Sequence, residues 1–285
     1  MASADPKFEY GKSEDVKDVK DVEWHATAEA GLVLTTGNSD TTAATGGLKV
    51  SRKKRENKVS FEASGAYAKS GVRVLLDRNG NGLIDNQSEI TTVETVTTEV
   101  MASKLRYDRY LTELNSLFIA ALAARDLPAG KESVLGAQVG YSRNIYKTKT
   151  AEAVAEIGYD FSRENLTTGE PLSIHSARLF VGDKATLTPG TDFDTSIELL
   201  TNLNRETLPT GKDGGPFLDT RVNFRIGVAA KIGKNLAVQT SVEAHYDNRP
   251  GPLAIKNLAM GFVPEASRLD TIMKAALIYT FAGTK

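Results

Sequence analysis

The chain has 285 residues, 40% hydrophobic, 25% charged and 7% aromatic, with a formal net charge of -1. Plentiful apolar residues argue against a disordered polymer, and near-zero net charge gives no bulk reason to bind nucleic acid. The absence of cysteine excludes disulfides, thiolate zinc sites and cysteine nucleophiles, and only His25, His175 and His245 remain for a histidine metal centre.

Residues 1–23 read as a flexible tail. Asp15-Val16-Lys17-Asp18-Val19-Lys20-Asp21-Val22 is a short charged repeat that cannot bury a face of its own. The start, Met1-Ala2-Ser3-Ala4-Asp5-Pro6, fits either a mature exported chain or an ordinary cytosolic beginning. A membrane-spanning helix is excluded by length. Such a helix needs about 18 mostly apolar residues, and the longest uncharged run is only Leu114 to Ala124.

From Trp24 onward the dominant period is two. Ala151, Ala153, Ala155, Ile157, Tyr159 and Phe161 alternate with Glu152, Glu156, Asp160 and Ser162. Val222, Phe224, Ile226 and Val228 alternate with Arg221, Asn223 and Arg225, and Leu269 to Phe281 repeats the pattern. Strands set alternate side chains on opposite faces, so each segment has one apolar and one polar face. In chain order the predicted strands are 24–36, 41–53, 58–70, 92–107, 115–126, 133–146, 149–162, 172–187, 192–206, 218–232, 236–248 and 269–281. The fourth to sixth alternate least cleanly, with Glu99 and Arg143 on the wrong parity.

The joins carry further information. Even-numbered joins are short: 54–57, 108–114, 147–148, 189–191 and 233–235. Odd-numbered joins are longer, reaching 71–91, 207–217 and 248–268, with the tight Gly37-Asn38-Ser39-Asp40 turn and the moderate 127–132 join as the lesser cases. In an up-and-down meander all odd joins lie at one end. Long strands, an even strand count and this asymmetry predict an all-β fold, a twelve-stranded antiparallel up-and-down transmembrane β-barrel. A soluble sandwich prefers strands of about 5–6 residues. An open meander would leave two edges that closure in a membrane removes. The expected organisation is tail 1–23, barrel 24–281 and a short extension 282–285, with both termini in the periplasm of a Gram-negative cell.

Parity places a set of charges in the lumen: Glu152, Glu156 and Asp160, then Arg178 and Lys184, then Asp194 and Glu198. Arg221, Arg225 and Lys231 follow, then Glu243 and Asp247, then Asp270 and Lys274. Acidic and basic segments interleave, so neighbours can pair across the wall. The favoured reading is a set of wall staples. The other is an ion-selecting constriction, which needs like charges grouped together. A turn centred on Lys234 sets Arg225 opposite Glu243, Arg221 opposite Asp247 and Asn223 opposite His245. A histidine flanked by carboxylates on such a wall reads as a lumen contact, and no enzyme is expected.

The stretch Asp77-Arg78-Asn79-Gly80-Asn81-Gly82-Leu83-Ile84-Asp85 fits the first half of a calcium loop. Oxygens of Asp77, Asn79, Asn81, the Leu83 carbonyl and Asp85 fall at the coordinating positions, although Ser88 stands where a bidentate Glu is usual. Calcium is the single cofactor this reading admits.

The closing segment, Ala275 to Phe281, resembles the C-terminal assembly signal of bacterial outer-membrane barrels, with Tyr279 and Phe281 as its aromatics. Trp24, the Gly37-Asn38-Ser39-Asp40-Thr41 hairpin, Arg125-Asp126, Gly136, Gly140-Tyr141 and Gly158-Tyr159 together resemble the salt-induced outer-membrane protein family. That resemblance implies location and fold more than activity. The partners expected are outer-membrane lipids, the barrel-assembly machinery during biogenesis and an envelope or surface protein. The first functional expectation is a narrow passive channel for ions or small solutes. The second is a closed barrel whose outer loops or periplasmic tail bind that envelope or surface partner.

Overall fold

The computed structural model describes residues 22–35, 41–75, 80, 90–167, 169–207, 214–251, 265 and 267–284. The strands are β1 (Glu23–Thr35), β2 (Thr41–Lys54), β3 (Asn57–Leu75), β4 (Ile90–Tyr110), β5 (Asn115–Asp126) and β6 (Lys131–Lys147). They continue as β7 (Ala151–Leu166), β8 (Leu172–Thr188), β9 (Thr191–Asn202), β10 (Thr220–Lys231), β11 (Leu236–Asp247) and β12 (Leu269–Thr284). Each pairs antiparallel with its chain neighbours, and β1 pairs with β12, so the sheet closes on itself. The twelve-stranded antiparallel barrel expected from period and turn spacing is therefore the fold.

Joins at 55–56, 111–114, 148–150, 189–190 and 232–235 lie at one rim with both ends of the barrel strands, here the terminal rim. The remaining joins lie at the opposite, loop rim. The closing ladder runs from Ala30 opposite Leu277 to Glu23 opposite Thr284. It takes in Ala282, Gly283 and Thr284, which the sequence reading set apart as an extension. Pairing to the first residue of β1 satisfies backbone groups there that would otherwise remain open.

Other boundaries moved for local reasons. Strands β3 and β4 reach further toward the loop rim than alternation indicated, and their ladder shifts register between Ala68 and Lys69. The extra residue is Thr97, whose hydroxyl donates to the Ala68 carbonyl at 3.3 Å. Below this bulge the parity of β4 changes, the usual effect of one added residue. Glu99 then lies at the outer wall near the loop rim and pairs with Arg125 at 3.3 Å. Arg143 is exposed near the terminal rim, opposite Asn115. Strand β9 stops at Asn202 rather than continuing to 206. There the Asn202 amide donates to the Gly215 carbonyl at 3.0 Å and its oxygen accepts from the Asp219 N–H at 2.9 Å. The fifth join is a four-residue turn, 127–130, in which Asp126 Oδ1 accepts from the Ala129 N–H at 3.0 Å and Gly130 takes φ 73°.

The wall is inverted relative to a water-soluble protein. Met101, Leu105, Leu117, Ile119, Leu135, Val139 and Ile157 are exposed, while Lys53, Lys104, Arg106, Asp108, Glu156 and Arg178 are buried. Toward the terminal rim the outer face carries Trp24, Tyr107, Tyr146, Tyr279 and Phe281; toward the loop rim it carries Tyr67, Tyr159 and Tyr246. An apolar band between two aromatic girdles is the exterior of a lipid-facing barrel. Among the described residues no helix is long and apolar enough to cross a membrane.

Of the calcium loop only Gly80 is described. Asp77, Asn79, Asn81, Leu83 and Asp85 lie outside the described residues. Among the described residues no group of three or more His, Asp or Glu side chains could hold a metal ion.

Candidate functional site

The interior is built from alternate residues of every strand, because period-two chains turn every second side chain inward. On β4 these are Lys104, Arg106 and Asp108, alternating with the outward Leu105, Tyr107 and Arg109. Arg106 donates from Nη2 to Asp108 Oδ1 at 2.7 Å and from Nη2 to Glu156 Oε1 at 2.7 Å. Glu156 stands on β7, so this bond passes β5 and β6 and crosses the lumen. Arg178 on β8 donates from Nη1 to Glu156 Oε2 at 2.8 Å and from Nε to Glu198 on β9. Asn223 Nδ2 on β10 donates to Glu198 Oε2 at 3.2 Å, and His245 Nδ1 on β11 lies 2.9 Å from Asn223 Oδ1. Glu243 then meets His245 at 3.9 Å and Lys274 of β12 at 3.5 Å. A polar chain thus runs from β4 to β12, its signs alternating from Asp108 through Glu198.

Phe118 is the apolar centre of this layer. Its ring is 1% exposed, and the Arg106 guanidinium lies 4.0 Å from its centroid. Arg178 approaches within 5.7 Å of Phe118 and 5.2 Å of Phe180. Space for the ring comes from Gly140: a Cβ there would fall 2.7 Å from Phe118 Cζ and 2.6 Å from the Ile157 carbonyl. Gly140→Val is therefore expected to push the ring off the wall and lower stability by about 1–3 kcal/mol. Urea unfolding of the refolded barrel checks this, and an unchanged midpoint would show that the ring does not depend on that recess.

A second layer lies nearer the loop rim. Arg221 Nη1 donates to Glu164 Oε1 at 2.6 Å, a contact from β10 to β7 that again crosses the lumen. Lys131 lies 3.4 Å from the same carboxylate, while Asp219 and Asp247 flank Arg221 at 3.3 and 3.6 Å. Burial at the loop holds the Asp219 carboxyl above its usual range, against the pull of Arg221 and with Asp247 and Glu164 adding to the rise. Beyond this layer Leu166, Leu172 and Ile174 form a buried apolar cluster. Ala129, Arg249, Pro250 and Gly251 are buried with it at the loop rim.

The two charge pairs read from the β10–β11 turn occupy the positions given by the ladder, Arg225 opposite Glu243 and Arg221 opposite Asp247. Their strongest contacts go elsewhere. Arg225 lies 4.0 Å from Glu243 but 3.4 Å from Asp194, and Arg221 is nearer to Glu164 than to Asp247. Glu152 stands opposite Lys184, which in turn faces Asp194. Asp160 accepts from the Gln138 amide at 2.8 Å, Lys231 lies 4.0 Å from Asp192, and Asp270 stands opposite His245. Tyr279 and Phe281 face outward with ring centroids 4.6 Å apart. His175 also faces outward, beside Tyr159 and Phe161.

Sequence reading missed Lys53, Lys58, Glu62, Lys104, Arg106, Asp108, Lys131 and Glu164, all buried. A signal was present: Lys104, Arg106 and Asp108 sit at every second position, alternating with Leu105 and Tyr107. It was obscured because Glu99, on the outward parity of the same stretch, carries its charge to Arg125, and because the Thr97 bulge reverses the parity of the residues before it.

Toward the terminal rim the lumen widens into a cavity of about 640 Å³. Phe180 stands among its lining residues, and the turn residues Lys234 and Asn235 lie at its mouth. What the arrangement offers chemically is a set of fixed charges in the bore, bridged by ion pairs at two levels, with the cavity toward the terminal rim.

A family model described as "Protein of unknown function, DUF481" matches residues 28–281. A search of curated protein sequences finds no match to the chain. Among solved structures the chain is similar to the NanC porin, at 10% identity and TM-score 0.48, with 90% of this chain and 98% of that one covered. It is also similar to the translocator domain of autotransporter NalP from Neisseria meningitidis, at 13% identity and TM-score 0.42, covering 93% and 90%. An anion-selective porin from Comamonas acidovorans is similar at 10% identity and TM-score 0.36, covering 92% and 98%.

Proposed function

The chain belongs to the family described as "Protein of unknown function, DUF481", and from that premise we propose a non-catalytic bacterial outer-membrane barrel whose bore is closed at rest. In this reading both termini face the periplasm, the long loops face outward, and the barrel engages an envelope or surface partner through its ends. The apolar belt and its two girdles support the membrane placement. The resemblance to salt-induced outer-membrane proteins belongs to the same proposal.

One observation carries the closure. The Arg106–Glu156 bond spans the lumen at 2.7 Å between side chains that are 2% and 0% exposed. A hydrated ion passing this level would have to separate a buried ion pair and leave each charge uncompensated, which is costly in a low-dielectric bore. The interleaved pairs along the remaining wall, among them Arg225 with Asp194 and Lys274 with Glu243, then hold strands rather than sort ions.

Planar-bilayer recording on the refolded full chain tests this reading. The expected result is an electrically silent membrane at low voltage, with sustained conductance in Arg106→Ala. Steady conductance in the unaltered protein would overturn closure and favour a narrow passive channel. The 640 Å³ cavity is the observation on that side, since a channel needs a wet vestibule.

A further inference from the structure

We infer that the cavity at the terminal rim is a binding site for small zwitterionic solutes of amino-acid or dipeptide size. Its volume of about 640 Å³ lies within the range of small-molecule pockets, about 300–1,000 Å³. It is entered past the 232–235 turn, and the Arg106–Glu156–Arg178 layer lies deeper in the bore.

The charges in the cavity are divided between opposite walls. Of the residues lining the cavity, the β1–β3 wall contributes Glu29 and Glu62 with Lys49, an acidic excess in the lining, while Lys53 and Lys58 of the same wall are buried outside it. Across the ring, the β8–β10 wall contributes Lys184, Arg225 and Lys231 against Asp192 and Asp194, a basic excess, and Lys234 adds to it at the mouth. Walls of opposite sign facing each other across a low-dielectric cleft set up a transverse field. Such a field orients a dipolar solute and gives a singly charged one no comparable pair of partners. Its ammonium would face Glu29 and Glu62, and its carboxylate would face Lys231 and Lys184.

Two glycines keep the space between the walls. A Cβ on Gly47 would lie 2.5 Å from Glu29 Oε1, and one on Gly227 would lie 2.7 Å from Asp194 Oδ1. Both carboxylates therefore rest against bare backbone instead of reaching across the bore. Asp194 is further held by Arg225 at 3.4 Å and by the Gln239 amide at 3.4 Å. Fixed charges at a preserved separation are what recognition of a two-charge ligand requires.

Titration calorimetry on the refolded full chain in detergent, using glycylglycine, acetate and ethylammonium at equal ionic strength, tests the inference. Saturable heat is expected with glycylglycine, and binding of either single ion should be weaker by about tenfold, the loss of one charge-assisted contact. Glu29→Gln and Lys231→Gln should each weaken glycylglycine by a similar factor, and the second changes a half-exposed rim residue whose loss the fold tolerates. Acetate or ethylammonium binding as tightly as the dipeptide, absence of saturable heat, or two variants that bind like the parent would each overturn the site. The inference rests on the vestibule of the proposed barrel and not on its closure. Bilayer conductance in the parent protein alongside saturable binding would remove the closed bore and leave the site standing.

Discussion

Glu156→Ala is expected to lower the unfolding free energy of the refolded barrel by about 3–5 kcal/mol, the cost of breaking a buried ion pair by removing one partner. The effect is large because one carboxylate serves two cations. Arg106 and Arg178 both donate to it, at 2.7 and 2.8 Å, and both flank Phe118. Without Glu156 two buried guanidiniums confront each other across the bore. Asp108 still holds Arg106, and Glu198 still holds Arg178, so the strands should remain paired while the bridge across the lumen is lost. The same variant is therefore expected to conduct in planar bilayers. Urea titration measures the first effect and single-channel recording the second. Lys149→Ala, in an exposed turn, should stay within about 0.5 kcal/mol of the parent and serves as the reference. A Glu156→Ala protein as stable and as silent as that reference would show that the layer neither braces nor closes the barrel.

Leu105→Arg addresses the other face of the wall, on the strand that carries Arg106. Leu105 is 52% exposed at the middle of the outer belt, between Phe61 of β3 and Ala121 of β5. Were that face wet, a surface arginine would change stability by no more than about 0.5 kcal/mol. Facing hydrocarbon, it should cost about 2–4 kcal/mol at the midplane. Unfolding measured in lipid vesicles separates the two cases. A shift within the wet-surface range would overturn the lipid-facing assignment of this wall, whatever the closure of the sheet.

Glu156 lies in the charged layer and Leu105 in the belt, and the sequence distinguishes the two faces by parity alone. Leu105 and Arg106 are adjacent in the chain yet face different solvents. Such alternation was legible in β7, β10, β11 and β12, where no bulge interrupts it, and in β8, whose register shift falls at its end, between Thr186 and Thr188. It was not legible in β4, where Thr97 changes the phase, nor at the ends of β6, where register shifts occur between Lys131 and Ser133 and between Asn144 and Tyr146. Likewise the end of β9 depended on Asn202 reaching Gly215 and Asp219, residues more than ten positions later. A strand that is stopped by a distant carbonyl carries no local stop signal.

By itself the sequence determined the class of fold, the strand count, the two-ended asymmetry of the joins and the β10–β11 register. All of these follow from short-range rules: period two, turn length, and which side chain stands opposite which across one hairpin. Only the tertiary structure decided which charges meet. Arg221 chose Glu164 over its ladder neighbour Asp247, and Arg106 reached Glu156 past two intervening strands. Closing twelve strands into a ring brings strands far apart in order within reach of long side chains. The partner of a lumen residue is then set by the curvature and bore of the barrel, quantities that no single segment encodes.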